Sequence, residues 1–132
     1  MLPVHSFTEE NYLKAIYKLQ GTNTEVVATS ALAQVMGVHA PSVTDMLKRM
    51  AQKKLVIYQK SKGFKLTEKG RQVAVGIIRN HRLWEVFLVD KLGFRWDEVH
   101  DLAEELEHIH SEALVSKLDA YLGFPKSDPH GD

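Results

Sequence analysis

The sequence predicts a mainly α protein, with an N-terminal winged helix-turn-helix unit followed by a second helical domain. Three observations carry this reading. Apolar residues recur at helical spacing along most of the chain, and one β-hairpin signal, LVIYQKSKGFKLT, interrupts them. Charge is segregated although the chain is neutral overall. Residues 38–71 carry nine Lys or Arg against Asp45 and Glu68, whereas residues 72–132 carry six basic and twelve acidic residues.

The elements follow in order. FTEENYLKAIYKLQG reads as an amphipathic helix, with Tyr12, Leu13, Ile16, Tyr17 and Leu19 near helical spacing. Ser6 or Thr8 caps its start and Gly21 ends it. ATSALAQVMG predicts a short helix capped by Thr29 or Ser30, with Leu32, Ala33, Val35 and Met36 inward and Gly37 as its stop. PSVTDMLKRMAQK predicts a third helix, with Pro41 in the first turn, where its missing N–H costs nothing. Val43, Met46, Leu47 and Met50 form its buried stripe. LVIYQ and FKLT are β-type runs joined by a Lys-Ser-Lys-Gly turn. A long helix starts near Thr67, residues 96–110 form the next, and SEALVSKLDAYLG is the last, capped by Ser111. The ending FPKSDPHGD is turn-like. These elements predict a DNA-binding domain over residues 1–71 and a helical domain over residues 72–132.

Composition removes several function classes. The chain has no cysteine, which excludes disulfide scaffolds, thiolate metal sites and cysteine nucleophiles, and suits a reducing cytoplasm. No apolar run approaches the roughly 20 residues that span a bilayer. The start, MLPVHSFTEEN, lacks the basic and apolar regions of a signal peptide.

The basic middle suits duplex DNA. In a winged helix-turn-helix the second helix enters the major groove with its first residues at base edges, while cations hold phosphates. Here that start comprises His39, Ala40, Pro41, Ser42, Thr44 and Asp45. Ser42 and Thr44 suit base edges or phosphates, and Ala40 or Pro41 suits a thymine methyl. Lys48, Arg49, Lys60 and Lys62 are placed for backbone contacts, which add affinity without sequence information.

The acidic end holds HDLAEELEHIH, residues 100–110. At about 100° per residue, Val99, Leu102, Leu106, Ile109 and Ala113 share one arc, with Ala103 at its margin. His100, Glu104, Glu107 and His108 share the opposite arc, as a row of donors without an intervening Lys or Arg. Crowded carboxylates repel, and a divalent cation reverses that penalty. The bland alternative is a solvated acidic face. His81 and Glu85, also spaced i and i+4, Glu10 and Asn11 near the start, and Asp128 and His130 in the tail are further donors.

Taken together, ENYLKAIYKL, HAPSVTDMLKRM, GFKLTEKG, NHRLWEVFLV and VHDLAEELEHIH resemble the metal-dependent repressors of the diphtheria toxin repressor and manganese transport regulator family. The likeness spans nearly the whole chain. His-Arg-Leu-x-Glu followed some twenty residues later by Glu-x-x-Glu-His is its specific part. The resemblance implies that the second domain is a metal-binding and dimerisation domain. It further implies a homodimer on a pseudo-palindromic operator, with recognition helices about 34 Å apart, and repression of metal-uptake genes. Carried over by position, one site draws on Glu104, Glu107 and His108 with Asn11 and also His81. A second draws on His81, Glu85 and His100, or on tail residues Asp128 and His130. Glu104 stands where iron-type members place cysteine and manganese-type members glutamate, so an oxygen and imidazole shell favours Mn(II), then Fe(II), then Zn(II). Two positions depart from the pattern. Asn11 replaces an Asp or Met, and Lys14 replaces a carboxylate of the binuclear manganese arrangement. The C-terminal SH3-like domain of longer members is expected to be absent from this chain.

Two rivals remain. A winged-helix regulator of the same kind would sense a small organic ligand through Leu83, Trp84, Phe87 and Leu88, and use the acidic helix only for dimerisation. A di-iron carboxylate enzyme would use Glu105-x-x-His108 or Glu107-x-x-His110, but such sites need that motif on two helices. No enzymatic activity is expected.

Overall fold

The structure, a computed structural model, describes residues 6–21 and 26–125. Its elements are α1 (Phe7–Gln20), α2 (Thr29–Met36), α3 (Ala40–Gln52), β1 (Val56–Gln59), β2 (Gly63–Leu66), α4 (Glu68–Asp90), α5 (His100–Leu106) and α6 (Glu112–Tyr121). The mainly α expectation holds, with one two-stranded sheet among the described residues. The chain divides into two compact units, Met1–Val75 and Gly76–Asp132.

In the first unit, α1 opens with a capping box. The Glu9 N–H donates to Ser6 Oγ at 3.0 Å, and the Ser6 N–H donates to Glu9 Oε1 at 2.9 Å. Both satisfy amides that the first helical turn leaves without partners. Glu9 also accepts from Lys53 Nζ at 2.8 Å, which ties α1 to the end of α3. The core of this unit joins Leu13 and Ile16 of α1 with Leu32, Val43, Leu47, Met50 and Leu55. The expected α3 stripe of Val43, Met46, Leu47 and Met50 is buried as a whole.

Two expectations for α2 fail. Its N-cap is Ala28, without a side-chain bond, not Thr29 or Ser30. Strand pairing sets this start instead, because the Val27 N–H donates to the Phe64 carbonyl at 2.7 Å and the Phe64 N–H returns to Val27 at 3.0 Å. Val35 is 58% exposed, not inward. Leu32, Ala33 and Met36 fall within one arc of about 100°, and Val35 lies outside it.

The hairpin is antiparallel, with Val56 opposite Leu66 and Tyr58 opposite Phe64. Its turn places Ser61 at φ 64, and Lys60 and Lys62 are exposed there. Thr67 then starts α4, accepting from the Gly70 N–H at 3.0 Å and donating to the Lys54 carbonyl at 2.7 Å.

In the second unit, the Arg79 guanidinium donates to the Asp119 carboxylate and joins α4 to α6. Ser111 caps α6 as expected, accepting from the Leu114 N–H at 3.2 Å. Helix α5 is shorter than the expected residues 96–110, and its buried side differs. Val99, Ala103, Glu107 and His108 are inside, while Leu102 is 38% and Ile109 40% exposed. The Glu107 carboxylate is buried against polar partners on α4, its Oε1 2.7 Å from His81 Nδ1. Among the described residues, no helix is long and apolar enough to cross a membrane.

Candidate metal centre

The centre is built on α4. His81 and Glu85 lie one turn apart and share a face. The His81 ring lies between two carboxylates, with Nδ1 2.7 Å from Glu107 Oε1 and Nε2 3.3 Å from Glu85 Oε2. Both carboxylates are withdrawn from water, Glu85 at 1% and Glu107 at 0% exposure. Burying a charged carboxylate costs several kcal/mol unless opposite charge and hydrogen bonds compensate it. Two such groups around one imidazole are therefore a specialised arrangement.

His100 completes one cluster from the start of α5. Donor atoms of His81, Glu85 and His100 all lie within 4.8 Å of one another. That span is close to the separation of about 4 Å between opposed donors on one ion with bonds near 2.1 Å. His100 also meets Glu104 at 3.0 Å, one turn along α5, and both are exposed. His108 is buried with Nε2 3.6 Å from Glu107 Oε2. The structure thus brings His81, Glu85, His100, Glu104, Glu107 and His108 into one connected network within the second unit.

The expectation of four donors on one side of a single helix is corrected. Helix α5 ends at Leu106, so Glu107 and His108 sit in the turn that follows and point inward, while His100 and Glu104 face solvent. Asn11 is half-buried on α1 in the first unit. Asp128 and His130 lie outside the described residues. Sequence reasoning missed Asn80, whose Nδ2 donates to the Glu107 carbonyl at 3.3 Å. No spacing rule flags an asparagine that bonds a main-chain oxygen 27 residues away. It also missed the Arg79–Asp119 pair, although Asp119 falls on the apolar side of α6.

The residues of the rival pocket divide between the core and partly exposed positions. Leu83 and Leu88 are core residues, while Trp84 and Phe87 are half-buried and stack edge-on at 5.9 Å. Glu105 and His110, which the di-iron reading requires, are exposed.

The residues expected to meet DNA are largely exposed. His39 is the N-cap of α3 and makes no side-chain cap bond, so its ring is not committed to the helix end. Ala40, Pro41, Ser42, Asp45, Lys48 and Arg49 are exposed, and Thr44 is half-buried. Arg49 lies along Met46, its Nη2 3.7 Å from Sδ.

Residues 6–64 match the iron dependent repressor N-terminal DNA binding domain, and residues 67–132 match the iron dependent repressor metal binding and dimerisation domain. The chain belongs to the iron-dependent repressor family. The resemblance inferred from the sequence therefore holds. The iron-dependent repressor IdeR of Mycobacterium tuberculosis is 34% identical over 125 residues, covering 95% of this chain and 54% of that protein. A manganese-dependent transcriptional repressor solved in complex with manganese superposes with a TM-score of 0.81 at 44% identity, covering 94% of this chain and 56% of that one. ScaR with bound Zn2+ gives 0.80 at 41% identity, over 93% and 57%. The chain spans about half the length of these relatives.

Proposed function

We propose that the chain is a metal-dependent, DNA-binding transcriptional repressor that acts as a cytoplasmic homodimer. The observation that carries this is the His81 ring held between the buried carboxylates of Glu85 and Glu107. A donor set of buried carboxylate oxygens and imidazole nitrogens fits a divalent cation, Mn(II) first, Fe(II) next, then Zn(II). His81, Glu85 and His100 would hold one ion, and Glu104, Glu107 and His108, with His81 between the two sets, another. A bound ion would supply positive charge at these carboxylates.

The chain's own residues do the rest. Glu107 and His108 fix the turn after α5, and His81 and Glu85 fix the C-terminal half of α4. The same continuous helix begins at Glu68, beside the hairpin. The surface of His39, Pro41, Ser42 and Thr44 would read base edges, and Lys48, Arg49, Lys60 and Lys62 would hold phosphates. Dimerisation through the second unit is supported by its exposed apolar side chains, among them Leu92, Trp96, Leu102, Leu114 and Tyr121.

The test is a DNA-binding titration on the promoter regions of metal-uptake genes, with Mn(II), Fe(II), Zn(II) and Co(II) added separately without oxygen. Chelator should abolish the shifted complex. Retention of full affinity in chelator overturns the reading. Lys62→Ala is expected to weaken binding evenly across DNA sequences and lower the salt slope by about one unit. A loss confined to particular sequences would assign Lys62 to base readout.

A further inference from the structure

We infer that Asn80 is a positioning residue for the metal centre, fixing the main chain of Glu107 independently of what the Glu107 carboxylate binds. The inference rests on the metal-binding reading above. Its starting point is that Asn80 and His81, adjacent on α4, both reach Glu107 but hold different parts of it. Asn80 Nδ2 donates to the carbonyl at 3.3 Å, and His81 Nδ1 meets the carboxylate at 2.7 Å.

The local structure shows why that carbonyl needs a donor. Helix α5 has seven residues, and Glu107 is its C-cap. The last carbonyls of a helix have no partner within it, and a helix this short is far below the length of about 12 residues at which isolated helices become marginal. The end of α5 is therefore held from outside. Asn80 is half-buried, so its amide acts where water competes weakly.

The two contacts also differ in what ligand duty leaves of them. The His81–Glu107 contact uses side-chain atoms of two candidate ligands, Nδ1 and Oε1. The Asn80 bond uses none of them. Whichever side-chain atoms would take an ion, the Asn80 amide holds the Glu107 backbone through the main-chain carbonyl alone. Because His108 is the next residue along the chain, the same bond sets its starting point too.

Partners that orient ligands in this way typically contribute 10- to 100-fold to metal affinity. The experiment is a Mn(II) titration of the full chain, with free Mn(II) followed by electron paramagnetic resonance, for wild type, Asn80→Ala, Asn80→Leu and Asn80→Gln. Thermal unfolding of each metal-free protein is measured alongside. Asn80→Ala and Asn80→Leu are expected to bind Mn(II) about tenfold more weakly, with metal-free melting close to wild type. Asn80→Gln, which keeps an amide donor on a longer arm, is expected to recover part of that loss.

Wild-type affinity in Asn80→Leu overturns the inference while leaving the metal-binding reading intact. Loss of fold in the metal-free Asn80→Leu protein also overturns it, by making Asn80 a stabilising residue only. Failure of wild type itself to bind Mn(II) overturns both.

Discussion

Replacing Glu107 with alanine is expected to abolish the metal-dependent part of DNA binding and leave the metal-free affinity unchanged. Glu107 is at the centre of the network, with one oxygen 2.7 Å from His81 and the other 3.6 Å from His108. Alanine removes both oxygens. It also leaves a cavity and takes a partner from His81, so the metal-free protein should melt lower while remaining folded. His81 keeps Glu85 at 3.3 Å, and its side chain is 14% exposed, enough for water to reach it. Coupling between two binding sites is typically about 1–3 kcal/mol, a factor of about 5 to 150, and it is reciprocal. Mn(II) should therefore raise the DNA affinity of wild type by a factor in that range, and should not raise that of Glu107→Ala. DNA should tighten Mn(II) binding to wild type by the same factor. Glu107→Gln, which preserves volume but carries no charge, should lose most of the response as well. The measurement is DNA-binding anisotropy with and without Mn(II), together with circular dichroism of each metal-free protein. A variant that stays folded and keeps the wild-type metal response would remove Glu107 from the centre.

How far the sequence carried the fold depends on whether a feature is local. Ser6, Gly21 and Ser111 were legible because a cap is decided by residues three positions away. The hairpin was legible for the same reason. The α2 start was not, because the Val27–Phe64 pairing that sets it joins segments 37 residues apart in the chain. Helix α5 shows the deeper limit. Periodicity assumes that apolar side chains choose the buried face, yet here Glu107 and His108 are buried and Leu102 is not. Glu107 meets Asn80 and His81 on another helix, and periodicity within residues 100–110 does not record those contacts. The identities of His81, Glu85, His100, Glu104, Glu107 and His108 were readable. Their division between solvent and interior was not.

Glycine makes the same point with opposite signs, and the larger effect is at Gly63. This residue has φ 136, a conformation that side chains disfavour, and a Cβ there would lie 2.2 Å from the Val27 carbonyl oxygen. Relief requires breaking the Val27–Phe64 bridge, which fastens the hairpin to the segment before α2. Backbone strain of this kind costs about 1–3 kcal/mol, and forced overpacking adds about 1–3 kcal/mol. Gly63→Ala should therefore destabilise the first unit by roughly 3 kcal/mol, and lower its melting temperature by more than about 10 °C. DNA binding should be lost before metal binding, because the hairpin belongs to the first unit. At Gly76, inside α4, a Cβ would meet nothing within 4 Å and φ is not in the left-handed region. There the only consequence of glycine is its poor helix propensity, so Gly76→Ala should stabilise by about 1 kcal/mol. Thermal unfolding of the two variants beside wild type tests both signs at once. If Gly63→Ala melts with wild type, the hairpin is not pinned at Val27. If Gly76→Ala melts lower, the middle of α4 requires a flexibility that its geometry does not display.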